Sequence, residues 1–279
     1  MKLCDRDLRP LSKLRIRRFS GLFWPIFDSF CGGSIRNLIQ SPQKESKIGS
    51  KEPENRQNLS FERGLMQVIY VDNHLLVAVK PAGLSTQPHD GESDNFLDRA
   101  KAWIKVKYNK PGKVFLEPIH RLDKPVSGLV LFARTSKALS RLQRMMRERE
   151  ISKTYIALVE GKPPSQQGEL VHYLIHDDHR ATISYAKHPD AKCARLRYEV
   201  VGSKGPATLV KIVLETGRYH QIRAQWSAIG CPVVGDRKYG SKQPWNKEGI
   251  ALHHAMMSCK HPTTLELLNL ASPFESGIC

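Results

Sequence analysis

The chain reads as an α+β protein built on a mixed, largely antiparallel sheet flanked by helices. Three observations predict this. Short β-branched and aliphatic runs outnumber helical stretches, and turn signals punctuate them. The helices are interspersed irregularly, without the regular alternation of strand and helix that a parallel sheet demands. At 279 residues and 40% hydrophobic content the chain has enough apolar mass to bury a substantial core.

Taken in order, Val68 to Val71 and Leu75 to Val79 are expected strands, the second closed by a turn at Lys80-Pro81-Ala82-Gly83. Asn95 to Tyr108 spaces Phe96, Ala100 and Trp103 as a helix does. Val114 to Leu116 and Leu129 to Ala133 are apolar runs holding the loop His120 to Ser127 between them. Ser136 is placed to cap a helix running to about Glu150, with Leu139, Leu142 and Met145 or Met146 on one face. Its arginines, Arg141, Arg144, Arg147 and Arg149, suit a solvated face, and phosphate contact would use the same arrangement. Tyr155 to Val159 and Leu196 to Val201 follow as strands. In Ala207 to Glu215, Val210, Ile212 and Leu214 alternate with polar neighbours as in a half-exposed strand. Tyr219 to Ile229 fits a helix stopped by Gly230, and Ile250 to Met257 and Leu265 to Leu268 are the final strands.

Residues 1–65 differ from the rest. Residues 1–20 are dense in arginine and lysine, and 41–60 is polar, charged and short of large apolar side chains, as a disordered linker would be. This basic extension fits an RNA-contacting arm, an organelle presequence weakened by Asp5, Asp7 and Asp28, or an upstream start with Met66 as the true beginning. Residues 66–279 are expected to form the catalytic domain.

Lysine and arginine number 44 against 27 acidic residues, a net charge of +17, which favours a polyanionic partner: nucleic acid first, an anionic membrane surface second. Six cysteines show no CxxC pair and no zinc-like grouping with histidine, so neither a disulfide framework nor a metal site is expected. His172, His176 and His179 lie near Asp177 and Asp178 at a spacing that matches no recognised metal motif, and Cys231 before Pro232 suits a buried structural thiol. Neither GxGxxG nor GxxxxGK[ST] occurs, so no cofactor is called for. No apolar stretch approaches the roughly 18 residues of a membrane span.

Two segments combine charge with tight backbone beyond what core packing requires. His120-Arg121-Leu122-Asp123-Lys124-Pro125-Val126-Ser127-Gly128 sets a carboxylate on a loop amid Arg121 and Lys124, where positive charge should keep it ionised and ready to act as a nucleophile. Thr216-Gly217-Arg218-Tyr219-His220-Gln221-Ile222-Arg223 is a strand-to-helix transition that puts His220 and Arg223 on neighbouring parts of one helix face. Taken separately, Asp123 and Arg223 read as halves of ion pairs.

Together these segments resemble the two signature motifs of the RluA family of pseudouridine synthases, HRLDKPVSGLVLFART and TGRYHQIR. Further pieces fall in the family's order: KPAGL at 80–84, Lys153-Thr154-Tyr155, Gly235-Asp236-Arg237-Lys238-Tyr239-Gly240, and Leu252-His253 ahead of His261-Pro262. The similarity runs from about Val68 to Phe274. It implies the pseudouridine synthase fold, with a catalytic cleft across the sheet, and cofactor-free isomerisation of uridine to pseudouridine in a structured RNA, ribosomal or transfer. Asp123 matches the catalytic aspartate, and Tyr155 the tyrosine that packs on the target base and is the candidate for removing the carbon 5 proton. Arg223 matches the arginine that orients the carboxylate. Arg121 matches the side chain that fills the gap left by the extruded nucleotide. His120, Lys153, His220 and Lys80 are the further expected RNA contacts.

Val126 and Tyr219 stand where the family commonly has threonine, and His254 where a small residue is usual. A monomer in the cytoplasm is expected, or in an organelle if residues 1–65 act as a presequence. The rivals are a catalytically silent RNA-binding protein, which would be free to lose Asp123, Tyr155 and Arg223, and a carboxylate-dependent hydrolase, which would want a second acidic residue.

Overall fold

The computed structural model describes residues 66–274 apart from 90, 92, 185–187 and 246, and the expectations for residues 1–65 lie outside them. In chain order the elements are β1 (Gln67–Val71), β2 (Leu75–Lys80), α1 (Phe96–Lys107), β3 (Glu117–Pro118), β4 (Ser127–Ala133), α2 (Ser136–Arg147) and β5 (Ser152–Glu160). There follow β6 (Gln167–Asp177), β7 (Arg180–Ser184), β8 (Lys192–Lys204), β9 (Ala207–Leu214), α3 (Gln221–Ala228), a 3-10 turn (Arg237–Tyr239), β10 (Leu252–Lys260) and β11 (Leu267–Ala271).

The strands form one 11-stranded sheet in the order β1-β2-β4-β10-β5-β9-β8-β6-β7, with β11 on β10 and β3 on β4. Among the described strand pairs only β10 with β4 is parallel, joining His253 to Ser127 and His254 to Gly128. This agrees with the mixed, largely antiparallel sheet expected from the irregular helices. Central β5 is buried at all positions from Lys153 to Val159 except Ile156, as a strand covered on both faces must be.

Helix α2 lays Ala138, Leu142 and Met145 on Leu75, Val77, Leu129 and Leu131, which share one face of β2 and β4. The opposite face receives α1, whose Phe96 ring lies 5.7 Å from that of Phe132. Helix α3 packs its Ala224 with Leu174 of β6, Ala181 of β7 and Ala194 of β8.

The seam between β4 and β10 requires a glycine. Gly128 has φ +119°, and a Cβ there would stand 2.5 Å from the backbone nitrogen and oxygen of His254. Both strain and overlap then oppose any side chain, so Gly128→Ala is expected to destabilise the fold by about 3 kcal/mol or more, measured by urea unfolding.

Several boundaries differ from the sequence expectation. Thr135, not Ser136, caps α2, its hydroxyl accepting the Ala138 N–H. Val114 to Leu116 forms no strand; its apolar character reflects Leu116, which is fully buried, and pairing begins only at Glu117. The hairpin of β6 and β7 was not expected at all. Only Leu170 and Leu174 of β6 are buried, and between them Val171 is exposed while His172 takes the inward side, which masks the alternation.

Candidate active site

The loop from Leu122 to Val126 leaves β3 and enters β4, and nearly every residue of it is pinned. Thr86 brackets Leu122, its hydroxyl accepting the Leu122 N–H at 3.1 Å and donating to the Leu122 carbonyl at 2.9 Å. The Asp123 carbonyl accepts from Val126 N–H, that of Lys124 from Gly83 N–H, and that of Pro125 from Ile250 N–H. Lys80, fully buried at the end of β2, donates to the carbonyls of Pro81 (2.8 Å), Leu84 (2.7 Å) and Lys124 (3.2 Å). All its donors are spent on backbone, which corrects the expectation that Lys80 grips RNA. Burial pushes its pKa down to about 7, against the pull of Asp123 and Glu248.

Asp123 meets the second segment from the other side of the sheet order. Arg223 Nη1 donates to Asp123 Oδ2 at 3.2 Å, while Nε and Nη2 form a two-point pair with Asp236 at 2.6 and 2.9 Å. Arg223 and Asp236 are almost fully enclosed, whereas the Asp123 side chain keeps 25% of its surface open. One guanidinium thus has an inner anchor and an outer client. The Tyr239 ring closes its back, 4.9 Å from the guanidinium carbon.

His220 supplies the second contact, Nε2 lying 3.5 Å from Asp123 Oδ2. It is not in the helix as expected: it precedes α3 with φ 49° in the left-handed region, which turns its ring back to the carboxylate. Its Nδ1 lies 2.9 Å from the Tyr239 hydroxyl, which accepts the Ala181 N–H at 2.8 Å. The Ala181 carbonyl, 3.3 Å from the hydroxyl, competes with Nδ1 for its single proton; when that proton goes to Nδ1, the imidazole faces Asp123 with an Nε2–H donor. Burial, then Arg223 and Lys238, lower its pKa to about 3 and hold it neutral.

Nearby cations were expected to hold Asp123 ionised, but burial outweighs them. The carboxyl is raised above its ordinary value by burial, and Arg223, Lys80 and Arg121 pull against this without cancelling it. Any activity that depends on the Asp123 anion should therefore fall in single-turnover rate as pH drops through a midpoint above the ordinary aspartate value of 3.8. Arg121→Gln, at an exposed position, should move that midpoint further up; a midpoint at or below 3.8 would contradict the burial argument.

Tyr155 of β5 lies opposite His254 of β10, and the two rings stack at 4.6 Å with 16° between planes. Burial first, and the Asp123 charge second, raise the phenol pKa strongly and keep its proton on. The His254 ring donates its Nδ1–H to the Leu129 carbonyl at 2.7 Å. His120 is half-buried, its ring edge-on to His254 at 5.3 Å and its Nε2 accepting the Leu131 N–H at 3.3 Å. Lys153 is buried beside Gly217, and burial lowers its pKa. Of the five expected RNA contacts, Arg121 alone is exposed.

The histidines near Asp177 have separate surroundings. His172 is half-buried on β6 with Nδ1 3.1 Å from Gln225 Nε2, and His176 and His179 sit exposed at the β6-β7 turn. Cys231 is buried, and burial raises its thiol. Among the described residues no cluster of three or more metal-ligating side chains occurs, and no helix is long and apolar enough to cross a membrane.

A pinned carboxylate, a buried arginine bonded to it and an aromatic ring that feels its charge form the candidate site of an enzyme. The profile of the RNA pseudouridylate synthase family matches residues 74–228, and the chain belongs to that family of isomerases. A dual-specificity RNA pseudouridine synthase RluA of Pasteurella multocida is 36% identical over 210 residues, covering 75% of this chain and 93% of that protein. The ribosomal large subunit pseudouridine synthase C of Escherichia coli is 30% identical over 224 residues, covering 76% of this chain and 67% of that protein. The human RNA pseudouridylate synthase domain containing 4 shares the fold with a TM-score of 0.64 at 22% identity, covering 76% of this chain and 89% of that one.

Asp236 and Tyr239 are the site residues that sequence reasoning missed. Both lie in the GDRKYG segment already noted for its order in the chain, and a buried-pair role for Asp236 had no local signal there.

Proposed function

We propose that this enzyme converts specific uridines of a structured RNA, ribosomal or transfer, to pseudouridine with Asp123 as nucleophile and the target base flipped out. The observation that carries this reading is the Asp123 carboxylate, partly open yet oriented by Arg223 at 3.2 Å and His220 at 3.5 Å. A uracil in a helical stack is out of reach of a loop carboxylate, so the nucleotide must leave the stack at a cost of a few kcal/mol. Exposed Arg121, two residues from the nucleophile, is placed to fill the gap and offset part of that cost.

The Asp123 carboxylate bonds to the sugar carbon as the bond from N1 to that carbon breaks. The freed ring turns, carbon 5 bonds to the sugar carbon as the bond to the carboxylate breaks, carbon 5 loses its proton and N1 gains one. Atoms balance without water, redox equivalent or phosphate. Tyr155, held protonated, serves as the packing surface for the turning ring rather than as a free phenolate base. Relatives named for ribosomal large-subunit and for dual-specificity synthesis support an RNA target of either kind. We assign the protein a monomeric state and, from its bacterial relatives, a cytoplasmic setting.

The test is tritium release from total RNA labelled at carbon 5 of uridine, followed by mapping of the new pseudouridine. Release that accumulates at one or a few positions is expected. No release from ribosomal or transfer RNA would favour the silent RNA-binding rival.

A further inference from the structure

Three aromatic rings form a column that starts at the catalytic carboxylate and runs outward. The inner ring is His220, 3.5 Å from Asp123. On it stacks Tyr219, with centroids 3.9 Å apart and planes 18° apart. Against Tyr219 lies His176, at 4.2 Å and tilted by 50°. Chain neighbours rarely stack face to face, and the left-handed φ of 49° at His220 is what allows it here. Backbone strain of this kind costs on the order of 1–3 kcal/mol and collects where function needs it.

Tyr219 is 37% exposed, large for an aromatic ring so close to a buried arginine. Its hydroxyl donates to the His179 carbonyl at 3.4 Å, tying the column to the turn between β6 and β7. That turn carries Asp177 and Asp178, both exposed, which would repel phosphates. Exposed Arg180 at the same turn, 5.0 Å from the Tyr239 ring, and Arg121, close enough to act on the Tyr219 hydroxyl, supply positive charge beside the ring surface.

We propose that the His220-Tyr219-His176 column is a stacking platform for the nucleobase next to the target uridine, with exposed His176 as its outer, base-facing ring and Tyr219 as the central ring that holds it in place. The proposal rests on the RNA-isomerising reading of Asp123. Once the target uridine leaves its stack, its neighbour loses a partner, and the outer ring of the column replaces it. Stacking accepts any base but favours those with larger rings, so the platform biases the enzyme toward a purine neighbour.

The experiment uses an RNA stem-loop around the mapped uridine, with either neighbouring base intact or removed to leave an abasic sugar. Wild type should lose about 10-fold in kcat/KM on one abasic RNA, the scale of one base-aromatic stack. Tyr219→Ala should lose a similar factor on the intact RNA and nothing further on that abasic RNA. Tyr219→Phe, which keeps the ring, should recover most of the loss. Losses that multiply on both abasic RNAs, or Tyr219→Phe as impaired as Tyr219→Ala, would overturn the platform.

Binding is read separately with 2-aminopurine in a uridine-rich single-stranded RNA. Its fluorescence should be quenched by the Asp123→Asn protein and much less by the Asp123→Asn, Tyr219→Ala double variant. Equal quenching overturns the platform while leaving the catalytic reading intact. Absence of tritium release from wild type, with the quenching difference present, overturns the catalytic reading and supports the platform.

Discussion

Asp123→Asn protein is expected to release tritium from uridine-labelled RNA on the order of 10⁴-fold more slowly than wild type, the scale on which a lost catalytic carboxylate acts. The carboxamide is nearly the same size and can still accept from Arg223 Nη1, so the pinned loop and the fold should be kept. What disappears is the anion proposed to attack the sugar. RNA affinity should change by less than about threefold, because the charge lost repels phosphate rather than holding it. Release within tenfold of wild type would remove the nucleophile assignment outright.

The second large effect is on stability. Asp236→Ala should lower the free energy of unfolding by about 3–5 kcal/mol, the cost of stranding one member of a buried ion pair. Arg223 gives Asp236 two of its nitrogens and Asp123 one, and both partners of the inner pair are almost fully enclosed. Loss of Asp236 leaves a buried guanidinium held by a single 3.2 Å bond, so turnover should fall together with stability. Asp236→Asn, which keeps one acceptor oxygen, should be milder in urea unfolding. A change below about 1 kcal/mol for Asp236→Ala would show that Asp123 alone suffices to hold the arginine.

The fold class and most strands were legible because β-branched runs and turn residues are local signals. β2, β4 and β9 each appear within one or two residues of their expected ends, and β5 begins three residues before its expected start. The β6-β7 hairpin was hidden because only two residues of β6 turn fully inward, and with Val171 exposed and His172 on the inward side the strand does not alternate apolar with polar. The pairing of Asp123 with Arg223 was legible through motif resemblance. Lys80 and His220 were named as RNA contacts, but burial and a left-handed backbone turn them inward, and neither property can be read from residue type. The rise in the Asp123 pKa was missed for the same reason: neighbouring charge is visible in a sequence, and desolvation is not.

Asp123 and Arg223 are 100 residues apart in the chain, and β4 meets β10 across a still longer separation at the parallel seam. Contacts this remote in sequence close late, after local hairpins and helices have formed, because the entropy of gathering the intervening chain must be met first. A partly assembled chain therefore carries the nucleophile without the group that aims it. Recovery of isomerase activity during refolding should lag behind recovery of secondary structure, so that an immature protein is inert toward RNA until its last long-range closure is complete.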